Sequence, residues 1–125
     1  KIINTAKAIN ENKKGSLTIG STSYKRDWSF AGDVSKAIYK ITNHGNDGFY
    51  VIGSGKEKSI EDIILIVFDY FNLNKEEHLI IDESLLRKND SSYIVSNPIK
   101  IKSELNWETE LSFEGLVLRC IESKI

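Results

Sequence analysis

The chain has 125 residues, 28% of them charged, a formal net charge of −1 and 40% hydrophobic residues, which allows one domain with a modest core and argues against a general nucleic-acid binder. Its single cysteine, Cys120, excludes an internal disulfide framework and makes a reducing, cytoplasmic setting the expectation. The two histidines lie far apart and no apolar run reaches the ~18 residues of a membrane span, so neither a metal site nor a membrane partner is expected.

The first residues, KIINTAKAI, place Ile2, Ile3, Ala6 and Ile9 at roughly helical spacing, with Gly15 as the stop. SLTIG reads as a short strand, and STSYKRDW as a connection. FAGDVSKAIYKITNHG reads as a helix with Val34, Ala37, Ile38 and Ile41 on one face and Gly45 as its end cap. GFYVIG, continuous in apolar residues, predicts a strand buried on both faces. Ser59 and Asp62 form a capping box that opens SIEDIILIVFDYF, whose wide stripe from Ile60 to Phe71 marks a core helix. HLIID predicts a third strand and ESLLRKNDSS a charged loop. Asn97 and Pro98 open a short helix that ends at ELNW, and Ser112 caps the last one, FEGLVLRCIESKI. Three short strands are too few for a doubly wound sheet. The chain contains no methionine, even at position 1, and so reads as a piece of a longer α/β protein.

Several chemical signals fail on inspection. VIGSGKEKS sits between a strand and a helix, but position 58 is lysine where a dinucleotide fingerprint needs glycine. A P-loop fails too, because Glu57 follows Lys56 and Tyr50 occupies the first glycine position. Two glycines in a turn remain. Cys120 lies among Leu116, Val117 and Ile121 with no histidine placed to activate it, which predicts a buried structural thiol. No serine stands in a nucleophile-elbow context.

Lys25, Arg26, Asp27 and Trp28 admit two readings. One is a surface cluster, with Arg26 paired to Asp27 or a neighbour and Trp28 plugging the core. The other is anion capture, since a guanidinium presents a rigid fork of donors to phosphate oxygens. Arg87 lies in a loop between a strand and a helix, and two arginines from separate loops could hold one diphosphate between them.

IGSTSYKRDWSFAGDVSKAI, GFYVIGSGKEKSIEDI, the Arg87 loop and IKSELNWETELSFEGLV occur in the order seen in the C-terminal half of extended short-chain dehydrogenase/reductases that act on nucleotide sugars. The chain most resembles the GDP-mannose 4,6-dehydratases, through K-R-D-W together with L-N-W. R-D-W also occurs in dTDP-glucose 4,6-dehydratases. Arg26 lies 25 residues after Lys1, Arg87 61 after Arg26 and Trp107 20 after Arg87, in agreement with the family pattern. The implied fold class is α/β, the C-terminal substrate-binding portion of a Rossmann-like NAD(P)-binding enzyme, with most of the Rossmann sheet absent from this chain. Residues 31–55 would pack on that sheet, and 1–125 would form one nucleotide-sugar-binding region.

By the same resemblance, Lys1 contacts the nucleotide sugar, Arg26 and Arg87 hold its diphosphate, and Asp90 stands where the family carries a glutamate for the nucleoside end. There are departures: Lys88 replaces a proline, Asp90 is one methylene shorter than glutamate, and Glu108-Thr109 replaces lysine-proline. The glycine-rich fingerprint and the Tyr-x-x-x-Lys pair lie upstream in the family. This chain is therefore expected to hold no catalytic residue, to bind no NADP or NAD by itself and to be inactive alone. The implied partners are a nucleotide sugar of the GDP-mannose or dTDP-glucose class, and either the missing half or further copies of the chain. An epimerase or reductase of the same superfamily, or a non-catalytic remnant, are the alternatives.

Overall fold

The computed structural model describes residues 1–86 and 91–123. Helix α1 (Ile2–Asn12) buries Ala6 and Ile9 and ends at Lys13, whose backbone is left-handed (φ 55°) and whose N–H donates to Ile9 O. Gly15 adopts φ 118°, a region closed to most side chains, and turns the chain into β1 (Leu17–Ile19). Next come β2 (Lys25–Asp27), α2 (Ala31–His44), β3 (Glu57–Ser59), α3 (Ile60–Tyr70), the short α4 (Lys75–His78), β4 (Leu79–Ile81), a 3-10 turn (Glu83–Leu85), β5 (Tyr93–Ile94), α5 (Ile99–Leu105) and α6 (Phe113–Glu122).

The strands form two small sheets. β1 and β4 pair in parallel with Leu17 opposite Leu79 and Ile19 opposite Ile81. β2 is the centre of a second sheet, antiparallel to β3 and parallel to β5. The K-R-D run is therefore a strand, not the connection its polarity suggested. Charge and brevity hide β2, β3 and β5 from a period-2 reading.

α1, α3 and α6 follow their apolar stripes, whereas in α2 Ala37 is buried and Ile38, expected on the same face, is 54% exposed. Ser59 Oγ accepts from Asp62 N while Asp62 accepts from Ser59 N, completing the expected capping box. α3 then buries Ile64, Val67 and Phe68 against Ala6, Leu17, Val117 and Ile121. Ser112 Oγ accepts from Gly115 N at the start of α6, and Asn97 Oδ1 accepts from Ile99 N at the entry to α5. A second cluster is separate from the first: Ala37, Ile101, Leu105 and Trp107, with Ile41, Tyr50 and Ile52 packed on it.

Two expectations need correction. Residues 49–53 form no strand, because a ladder needs a neighbour and none of the described residues pairs with them. Instead the segment alternates: Tyr50 and Ile52 face the second cluster, whereas Phe49 is 96% and Val51 50% exposed. Cys120 is exposed. Its neighbours Val117 and Ile121, four apart, hold the buried stripe of α6, and the thiol falls outside it.

Candidate functional site

β2 brings the charged cluster to a junction of three segments. Lys25 stands opposite Ser59 and reaches diagonally across β2–β3 to Glu57 at 2.6 Å. Trp28 donates from Nε1 to Lys58 O at 3.2 Å, so its ring seals the connection to β3. Arg26 stands opposite Lys58 on one side and Ile94 on the other. Its Nη1 donates to Lys25 O at 2.8 Å and its guanidinium lies 5.6 Å from the centre of the Tyr24 ring.

Arg26 lines a cleft of about 410 Å³ together with Asp27, Ile52, Gly53, Ile94 and Ser96. Asp27 is an anion in the wall of a cleft proposed from sequence to take anions, and its lone pairs are turned inward. Oδ1 accepts from Ser54 N (2.9 Å) and Ser54 Oγ (2.6 Å); Oδ2 accepts from Gly55 N (2.9 Å), Ser96 N (3.2 Å) and Ser96 Oγ. Burial opposes the charge, but the Ser54 and Ser96 hydroxyls and the Ser54 and Gly55 amides outweigh it, holding the carboxyl at about 2. The chain thus fills its own anion-binding turn. The Ser54 and Gly55 amides donate to Asp27, so this turn does not fit the pyrophosphate of a dinucleotide.

Gly53 is required sterically. A Cβ there would lie inside the Ser96 side chain and 2.9 Å from Asp27 Oδ2. Sequence reading singled out neither Asp27 as a hub nor Ser96. The usable signal was a carboxylate beside a glycine-serine turn, but the pairing spans 27 to 69 residues and has no local signature.

Lys1 donates from Nζ to Thr18 O at 2.6 Å, tying α1 to β1, and it is not among the residues lining the Arg26 cleft. Arg87 and Asp90 lie outside the described residues. Their flanks are fixed on both sides. A Cβ on Gly20 would sit 3.1 Å from Leu85 C and Leu86 N, so Leu85–Leu86 pass directly over the end of β1. On the far flank Lys25 N donates to Ser92 O at 2.9 Å, and Arg26 pairs with Ile94. A larger cavity, about 710 Å³ between α2 and α5, shares no residue with the Arg26 cleft. Its lysines are engaged: Lys36 with Glu110, Lys40 with the carbonyls of Leu105 and Asn106.

The sequence profile of the family described as GDP-mannose 4,6 dehydratase matches residues 1–120. The chain belongs to this family. GDP-mannose 4,6 dehydratase 1 of Arabidopsis thaliana is 26% identical over 109 residues, a match spanning 87% of this chain and 30% of the relative. The chain therefore spans under a third of that relative's length. Its fold matches dTDP-glucose 4,6-dehydratase of Bacillus anthracis, solved with NAD, at a TM-score of 0.78 and 22% identity, over 98% of this chain and 38% of that one. RMD of Pseudomonas aeruginosa, solved with NADPH, gives 0.78 and 20%, over 96% and 40%. As the K-R-D-W and L-N-W runs implied, this is the C-terminal part of an extended short-chain dehydrogenase/reductase, α/β and lacking most of the Rossmann sheet. No helix among the described residues is long and apolar enough to cross a membrane.

Proposed function

We propose that this chain is the nucleotide-sugar-binding part of an NAD(P)-dependent 4,6-dehydratase of the GDP-mannose class, and that Arg26 and Arg87 grip the substrate diphosphate. One observation carries the reading: Arg26 lines a cleft and is paired directly to the strand that follows the Arg87 segment. On the described side of that segment, Lys25 N donates to Ser92 O at 2.9 Å. Two guanidinium forks would together match the oxygens of one pyrophosphate. Lys1 and Asp90 would contact the sugar nucleotide beyond the diphosphate.

The role of this part is orientation. The hydride carrier, NADP or NAD, and the groups that move protons would come from the preceding half of the protein, so the 125 residues would be inactive alone. Fixing the diphosphate places the hexose relative to the nicotinamide, and positioning of this kind contributes several orders of magnitude in rate. The apolar face of residues 31–55 supports a missing partner surface: Phe49 is 96%, Tyr39 66% and Ile38 54% exposed. A Rossmann half of the same protein, or a further copy, would cover it.

Titration calorimetry of the full-length protein with GDP, dTDP and UDP tests the reading. Arg26→Ala and Arg87→Ala should each weaken diphosphate binding at least tenfold, on the order of 1.4 kcal/mol. Unchanged affinity in both variants, or no nucleotide bound at millimolar concentration, would reject it.

A further inference from the structure

Arg26 can serve as half of a clamp only if β2 is held in fixed register with its neighbours. The ladder itself is weak on one side. β5 has two residues, and only Lys25–Tyr93 and Arg26–Ile94 are in register with β2. A two-residue strand cannot specify its own register. Two residues after it, past Val95 where a third backbone pair would stand opposite Asp27, Ser96 turns both its N–H and its hydroxyl to Asp27 Oδ2. On the other side, the turn leading into β3 is fastened to the same carboxylate through Ser54 and Gly55.

We propose that Asp27 is a positioning residue for substrate binding: its carboxylate replaces the missing rungs of the ladder and locks β2, the 53–55 turn and the strand leaving the Arg87 segment into one frame, so that Arg26 meets a diphosphate already oriented. This rests on the diphosphate reading above. The division of labour within the carboxylate is explicit. Oδ1 serves Ser54, with the Ser29 hydroxyl at 3.5 Å; Oδ2 serves Gly55 and Ser96. An asparagine keeps one acceptor oxygen and turns an NH2 toward the other set of donors, so one anchor is lost whichever way the amide faces. A charge this close to the cleft would repel phosphate; here the dipoles of three backbone amides and three hydroxyls offset it.

A double-mutant cycle in the full-length protein tests this, with GDP affinity measured by calorimetry and folding by thermal melts. Asp27→Asn should weaken GDP binding about tenfold in the native background and less than twofold when Arg26 is already alanine, because its effect passes through Arg26. If Asp27 only supports the fold, Asp27→Asn lowers the melting temperature while folded protein binds GDP within twofold of the parent, or its cost is the same with and without Arg26; either result overturns the proposal. Should Asp27→Asn fail to fold, Ser96→Ala runs through the same cycle: it leaves the Ser54 anchor in place and should cost about threefold in affinity, again only with Arg26 present. Should Arg26→Ala itself bind GDP like the parent, the diphosphate reading falls and the proposal with it. A loss in Arg26→Ala with none in Ser96→Ala or Asp27→Asn sinks the positioning role alone.

Discussion

Asp27 stays charged because six donors converge on it, the Ser29 hydroxyl at 3.5 Å being the longest, and that makes the site sensitive to acid. Its folded value of about 2 lies below the ordinary 3.8, so the folded state binds this proton less readily than the unfolded one. The stabilisation is complete above pH ~4 to 5 and is lost as pH falls through about 2. Discounted for partial exposure, it amounts to on the order of 1 kcal/mol. Urea denaturation between pH 2 and pH 6 should show this loss, and Asp27→Asn should flatten the profile over that range. Gly53 is the steric counterpart: Gly53→Ala must push Ser96 off the carboxylate and should cost roughly 2 kcal/mol by the same measurement. Cys120 makes a third residue-scale case. An exposed thiol should react fully with a disulfide reagent in the native protein, whereas a core thiol would react only after unfolding.

Among the elements, α3 links the two sheets to the main core. Its N-terminus continues directly from β3, so the capping box at Ser59 fixes both the helix start and the end of the strand opposite Lys25. Ser59→Ala should lower stability by about 1 kcal/mol, read as a fall in melting temperature of about 4 °C. α2 is tied differently. Asp33, 3% exposed in its first turn, accepts from Glu110 N and Leu111 N at 3.1 Å, and its own carbonyl accepts from Trp107 Nε1 at 3.1 Å. The L-N-W run thus bonds to the start of α2 across 74 residues. These elements were visible in advance where periodicity and caps coincide: the α1, α3 and α6 stripes, the Ser59 box and the Ser112 cap. β2, β3 and β5 were not, since two or three residues, partly charged, give no alternation to read.

At the scale of the molecule the described residues form two cores, and the second leaves an apolar face uncovered. The first joins α1, β1, α3 and α6; the second sits under α2, α5 and Trp107. Phe49, 96% exposed, discriminates between a finished surface and one that awaits a partner. On a finished surface Phe49→Ser shifts stability by no more than about 0.5 kcal/mol. If the preceding half covers residues 31–55, the same substitution in the full-length protein should cost about 2 kcal/mol or more by chemical denaturation.

Taken alone, the sequence determined the longer helices and the family, because both are written in short-range spacing: stripes three and four apart, caps within three residues, and runs such as K-R-D-W. The tertiary structure decided that K-R-D is a strand, that G-F-Y-V-I-G is not, and that Asp27 ties together turns 27 and 69 residues away. A backbone group or a carboxylate takes whichever donors the fold delivers to it, and those donors are chosen by packing between distant segments.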